Sequence, residues 1–466
     1  MVQAAREGYF SYPRGLALPH PVATVTVDAS RSHLFVDLTP GAVIRGRVTD
    51  PQGRPLQGVL MSAMELQYRD GRPAFGVGSA PKTTDDRGEF RLFWFAPGEY
   101  YVRAEYPGGQ TNLARKSYYP GTVDSNGAAT LLVKGGESLD NLNFLVPAAS
   151  SVRVSGQVAP DTLVPVTGLV KTFYLLPLDG RPLENYPLEF TNMLVGNVSE
   201  SGPFPFAIDV RGVAPGLYDL APFYLDRSNA YHSGRTRIEI RDENIENITA
   251  LITPNVDVSG RIIMEGESAS PGFSGLQLHL RAKDTSIPLM SRTSHARIEA
   301  DGTFVIPDVF EGRYQLYLSG SLRGAADFYI SGIRQGGQDI RNEGTVDVRR
   351  SMLPVEIRLR AGAGSIQGIV EGPGGVFPSQ ADVVLVPQVP LRENILFYDR
   401  TITSEKGQFK FEGVAPGEYK VFAFEQLADT AEQNSRFIAR YETLGQNATV
   451  NSRVTTELRV RLLRQD

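Results

Sequence analysis

The chain has 466 residues, 47 Lys and Arg against 52 Asp and Glu, a formal net charge of −5 and no cysteine. That length provides for several domains with their own cores. Without cysteine there is neither a disulfide framework nor a thiolate metal site, and charges of both signs spread throughout give no basic stripe for nucleic acid. The 47 Gly and 31 Pro punctuate the whole length. No long amphipathic helical pattern survives between them, so the expectation is an all-β chain of short strands and turns. No apolar run approaches the roughly 20 residues that would span a bilayer as a helix.

The first stretch, MVQAAREGYFSYPRG, lacks the apolar core of a signal peptide. Thr24-Val25-Thr26-Val27 and Leu34-Phe35-Val36-Asp37-Leu38 match the two strands that close each later repeat, as in Thr130-Leu131-Leu132-Val133 and Leu142-Asn143-Phe144-Leu145. Residues 1–40 are therefore expected to be the C-terminal strands of an incomplete sandwich. Its apolar positions Val25, Val27, Leu34, Val36 and Leu38 need a cover, which predicts a gene continuing upstream with a partial domain and a signal peptide.

From residue 41 a boundary signature recurs: an alternating strand, a short break, then a strand ending in a small residue and Gly. It reads Val43-Ile44-Arg45-Gly46-Arg47-Val48, then Val154-Ser155-Gly156-Gln157-Val158, Val258-Ser259-Gly260-Arg261-Ile262 and Ile366-Gln367-Gly368-Ile369-Val370. The predicted units are 41–148, 149–255, 256–362 and 363–466, joined by linkers of a few residues that favour a semi-stiff row.

Inside each unit a second pattern repeats. Ala96-Pro97-Gly98-Glu99-Tyr100 returns as Ala214-Pro215-Gly216-Leu217-Tyr218, Phe310-Glu311-Gly312-Arg313-Tyr314 and Ala415-Pro416-Gly417-Glu418-Tyr419. The spacing is about a hundred residues, a domain's and not a solenoid repeat's. Upstream of each copy stands a turn glycine: Gly88, Gly202, Gly302 and Gly407. These are expected to supply the positive φ of two-residue hairpins, and the glycines of the second turn, Gly417 included, to need positive φ as well. The four tyrosines are expected to be core aromatics with locally hydrogen-bonded hydroxyls.

GAVIRGRVTDPQGRPLQGVLMSA (41–63), TTDDRGEFRLFWFAPGEYYVRAE (83–105) and SYYPGT (117–122) resemble the carboxypeptidase regulatory-like domains found in tandem in large surface proteins of Acidobacteria-type bacteria. FYISGIRQGGQDI (328–340) and YETLGQNATV (441–450) resemble the late segments of such proteins. The resemblance implies a linear array of four Greek-key, transthyretin- or Ig-like β-sandwiches related to carbohydrate-binding-like folds. It also implies a secreted or cell-surface setting and an accessory module without peptidase activity, cofactor or catalytic residues.

The residues themselves show no HExxH, GxSxG or GxxxxGK[ST]. His20, His33, His232, His279 and His295 have no second histidine at ligand spacing, so no metal site is expected. Asp85-Asp86-Arg87-Gly88 reads as an Asx-type turn rather than a calcium loop. The contact candidates are aromatic: Trp94, within Phe93-Trp94-Phe95 where three rings cannot all face inward, and Tyr118 and Tyr119 beside Pro120-Gly121. The functional expectation is a non-enzymatic spacer and interaction scaffold. Its partners would be an extracellular or surface protein or polysaccharide, with self-association among them and no nucleic acid. The rival readings are a polysaccharide binder using the aromatic loops and a subunit of an extracellular filament or envelope assembly.

Overall fold

The computed structural model describes 2–3, 9–11, 22–23 and 38–40 of the first 40 residues. From residue 41 it describes all except 70, 79, 107–114, 123–126, 147–151, 162–167, 178–182, 185–193, 196–203, 214, 227–230, 267–271, 274, 284–293, 320–326, 376 and 465–466. The fold is all-β: the described residues form β-strands throughout, with one short α-helix, Ser435–Ala439, and a few 3₁₀ turns. In the N-terminal stretch Tyr9–Ser11 pairs with Leu38–Pro40 and Val2–Gln3 with Val22–Ala23. The strand-pair positions Val25, Val27, Leu34 and Val36 lie outside the described residues, and so does Gly202.

Four apolar cores follow one another along the chain. The first is built around Ile44, Met61, Leu92 and Phe144, the second around Val154, Leu175, Leu220 and Ile252. The third gathers Val258, Leu280, Ile306 and Ile357, the fourth Ile366, Leu385, Phe411 and Val460. The first three cores each lie between two sheets, while the strands around the fourth are joined into one seven-stranded sheet; in all four, alternating strands put every second side chain inward. In Glu89–Phe95, for example, Phe90, Leu92 and Phe95 are buried while Glu89, Arg91 and Trp94 are exposed.

One pairing is common to all four. The opening strand lies between an antiparallel neighbour, which runs into the repeated corner, and a parallel neighbour, which closes the unit. Ala42–Thr49 sits between Glu89–Phe95 and Ser138–Leu145. The same arrangement recurs around Val152–Pro160, Val256–Glu265 and Gly364–Glu371. The glycine of the boundary signature sits under this parallel partner. A Cβ on Gly46 would lie 1.8 Å from the Leu142 carbonyl oxygen, and on Gly260 2.2 Å from that of Val355. Close approach, not a turn, demands glycine there.

The hairpin glycines do adopt positive φ, at 71° for Gly88, 85° for Gly302 and 70° for Gly407. The loop is longer by one residue than the expected two. Gly88 N–H donates to the Asp85 carbonyl and Asp85 N–H to that of Glu89, both at 3.0 Å, which encloses three residues. A type I turn ending in a left-handed glycine has this form. The Asp85 carboxylate accepts from the N–H groups of Arg87 and Glu89 at 3.0 and 2.7 Å, so the aspartate is occupied with its own turn.

The second-turn expectation holds in two units and fails in two: Gly216 (φ 154°) and Gly312 (156°) have positive φ, whereas Gly98 and Gly417 do not. The left-handed residue lies four positions upstream, at a bulge where the corner-leading strand carries one residue more than its partner. Trp94 (φ 69°), Gly212 (74°), Asp308 (55°) and Gly413 (69°) occupy it in the four units. The pairing register skips there in each case, for instance from Ala42↔Phe95 to Val43↔Phe93. After the bulge come the tyrosines, all buried. The hydroxyls of Tyr100, Tyr314 and Tyr419 each donate at 2.9 Å to the carbonyl four residues upstream, in Ala96, Phe310 and Ala415. Burial holds the Tyr314 and Tyr419 hydroxyls above the ordinary phenol range.

Neighbouring cores touch through specific groups. Asn394, fully buried, donates to the Arg341 carbonyl at 2.6 Å, and the Arg341 guanidinium lies 4.9 Å over the Phe397 ring. Arg350 pairs with Asp161 at 3.0 Å, and Leu183–Glu184 adds in parallel to Arg72–Val77. The fourth unit also meets the first. Asn434 caps the short helix by accepting from Phe437 N–H and donates to the Gly71 carbonyl, both at 2.9 Å. Arg440 pairs with Glu99 at 2.9 Å, and the Tyr68 and Phe437 rings meet edge to face at 5.4 Å.

Candidate functional site: an exposed tryptophan at a strand bulge

The bulge explains how Phe93-Trp94-Phe95 disposes of three rings. Phe95 is buried against Tyr100 at 5.1 Å, edge to face. The extra residue turns Trp94 outward, where its side chain is 46% exposed. Phe93 is half-buried on the same outer face, 5.7 Å from the indole in an edge-to-face contact. Two cations stand over the Phe93 ring: the Lys82 ammonium at 5.1 Å and the Arg91 guanidinium at 5.7 Å. Lys82 reaches this position because Lys82–Thr83 adds to the edge of Leu60–Arg69. Arg91 does so because it alternates with Phe90 and Leu92, which point into the core.

A shallow groove begins at these two cations and runs over the outer face of the first sheet. It is lined further by Arg45, Arg47, Thr83, Asp140, Asn141 and Asn143, with Asp85 and Glu89 at its side. Several of its charges are neutralised within it: Arg45 pairs with Asp140 at 3.6 Å and Arg87 with Glu89 at 3.6 Å. Asn141, like Trp94, holds a left-handed backbone (φ 64°).

The structure separates the three aromatic candidates. Tyr118 is fully buried beside Met64 and has no face to offer a ligand. Tyr119 packs on the core through Phe144, edge to face at 5.7 Å. Both belong to the opposite sheet and its loop, so they form no common site with Trp94. The loop between Tyr118 and Thr122 folds back in a bridge that seals Tyr118 under it. Alternation within strands does not by itself settle which way a ring at such a strand end faces, and the burial of Tyr118 agrees with its packing under a loop.

The histidines also differ from expectation in one respect. His279 and His295 lie directly opposite each other on adjacent strands, with ring centroids 5.4 Å apart. The His279 Nε2 is 2.6 Å from the Ser319 hydroxyl, and burial, then the neighbouring His295 and Arg281, lower its pKa. The pairing of Gln277–Ala282 with Ser294–Arg297 was the available signal. No third metal-ligating side chain joins them, and no group of three or more His, Cys, Asp or Glu among the described residues is placed to hold a metal.

No family model matches the chain, and the search of curated proteins gave no match. Solved structures give distant likenesses. The TIE protein of Bacillus anthracis is 9% identical, with 87% of this chain and 68% of that one covered and a TM-score of 0.17. BcpA, the major pilin subunit of Bacillus cereus, is 10% identical over 90% of this chain and 99% of that one, at a TM-score of 0.16. A streptococcal ancillary pilin is 12% identical over 67% and 99%, at 0.19. Scores this low carry nothing about the role of this chain.

Proposed function

We propose that the chain is a non-catalytic scaffold of the bacterial surface or secreted fraction, built from units spanning 41–148, 149–255, 256–362 and 363–466. The observation that carries this reading is that side-chain and backbone contacts fix successive cores to one another, as at Asn394–Arg341 and Arg350–Asp161, and fix the fourth to the first at Asn434–Gly71. Rigid sandwiches held in this way keep exposed loops and faces at set separations, so that weak contacts add through effective concentration. The surface setting is supported by the residue-level resemblance to tandem carboxypeptidase regulatory-like domains, and self-association is an assembly mode open to such a scaffold. Protease treatment of intact cells expressing the protein from its own gene tests the setting. Loss of the protein while a cytoplasmic marker survives is the expected result; full protection until lysis would overturn it.

A further inference from the structure

We propose that Trp94, Phe93, Lys82 and Arg91 form a binding site for an acidic polysaccharide. The indole would receive the C–H face of a pyranose, and the ammonium and guanidinium would take its carboxylates. The inference rests on the scaffold reading for its purpose, since it names what the first unit holds, but its test does not depend on where the protein resides.

Four observations converge. First, the same bulge occurs in all four units, and its left-handed backbone is served by glycine at Gly212 and Gly413. Asp308, a residue type that tolerates this conformation, serves the third. Only the first unit places a large ring there, where an L side chain is strained. Strain of this kind persists at positions under functional constraint. Second, the ring is not used to fill a core: nearly half of Trp94 is exposed, and Phe93 is its ring neighbour. Third, Lys82 and Arg91 face the same patch, and among the described residues neither is engaged in an ion pair, whereas Arg45, Arg54 and Arg87 nearby each have a carboxylate partner. A ring face flanked by two unneutralised cations complements a chain that alternates apolar ring faces with carboxylates.

Fourth, the groove that starts at those cations offers the amides of Asn141 and Asn143 and the Thr83 hydroxyl, suited to a chain of hydroxyls. These hydroxyl-binding groups favour a sugar over an acidic peptide or a nucleic acid, a distinction that polyanions without pyranose rings test.

Trp94 is the one tryptophan of the chain, so its fluorescence reports the site directly. The intact chain is titrated with polygalacturonate, alginate and hyaluronate, and with poly-L-glutamate and oligo-dT as polyanions without pyranose rings. Expected is a saturable blue shift with at least one of the three polysaccharides and none with the other two polymers. In affinity electrophoresis Trp94→Gly should lose at least tenfold in retardation while its melting temperature stays at or above that of Trp94→Ala. The pair Lys82→Gln and Arg91→Gln should lose several-fold with no change in melting. Absence of binding to all three polysaccharides, equal binding of poly-L-glutamate, or undiminished retardation of a folded Trp94→Gly each overturns the site. None of these results touches the scaffold reading, which is judged by protease accessibility and unit spacing.

Discussion

A tryptophan where two of its three sister copies carry glycine inverts an ordinary rule of substitution. In most strand positions alanine is more stable than glycine, because glycine loses more backbone freedom on folding. At residue 94 the left-handed backbone costs an L residue roughly 1–2 kcal/mol. Trp94→Ala keeps that cost and removes the ring, while Trp94→Gly removes both. Trp94→Gly is therefore expected to exceed Trp94→Ala in stability by about 1 kcal/mol, read from urea unfolding of the two variants. The opposite order would mean that the bulge relaxes when the ring is gone. The repeated corner was legible in the sequence, and so were its buried tyrosines, since Tyr100, Tyr314 and Tyr419 bond back to the carbonyl four residues earlier. Which glycine carries the strain was not legible. Gly413 and Gly417 stand four apart in the same corner, and only the register skip between Gly364↔Val414 and Ile366↔Phe411 distinguishes their tasks.

The opening strand is the element on which every unit is assembled, because it pairs on both sides and passes beneath a parallel partner. Gly260→Ala places a methyl group 2.2 Å from the Val355 carbonyl oxygen and 2.4 Å from the Phe304 ring. Backbone cannot yield as a flexible side chain does, so a loss of about 1–3 kcal/mol is expected, measured by chemical denaturation. An unchanged midpoint would show that the strands part without cost. Sequence alternation found these strands and the recurring glycine, but parallel pairing joins residues nearly a hundred positions apart and leaves no local mark.

The same strand pair carries an acid-sensitive lattice. Arg261 bonds Glu356 at 2.8 Å, and Arg360 pairs with Glu265 at 2.7 Å across the parallel ladder. The Ser331 hydroxyl, then Arg360 and Arg358, hold Glu265 below the usual glutamate range, and Arg261 with Arg358 does so for Glu356. A carboxylate whose pKa is lower folded than unfolded stabilises above its unfolded pKa, and that contribution is lost as pH falls through the folded value. Amide exchange in Val256–Glu265 and Val355–Ala361 should therefore quicken, relative to Gln408–Val414, as pH drops below about 4, after correction for intrinsic rates. Glu356→Gln should blunt that dependence. A pH-independent ratio in the parent would remove the lattice from the stability of this element.

At the scale of the whole molecule, the all-β fold and its succession of cores were readable from repeat spacing, whereas the return of the fourth core to the first, which departs from the straight row that short linkers favour, was not. Gly71 and Asn434 are far apart in sequence, and neither belongs to a repeated motif. Gly71 is nevertheless constrained twice: its φ is +71°, and a Cβ there would lie 2.7 Å from that of Gln433. The aromatic and polar groups at this junction are modest individually, but together they decide whether the units keep fixed separations or swing independently.

That is the claim on which the scaffold reading stands, and the lack of native cysteine makes it directly measurable. Spin labels on Gln52→Cys in the first unit and Lys406→Cys in the fourth, both exposed positions, report one distance by double electron–electron resonance. A single narrow distribution is expected for the otherwise unaltered chain, broadening when Arg440→Glu sets two carboxylates against each other at Glu99 or when Gly71→Val forces the junction apart. A distribution already broad in the parent and unchanged by either substitution would contradict the account.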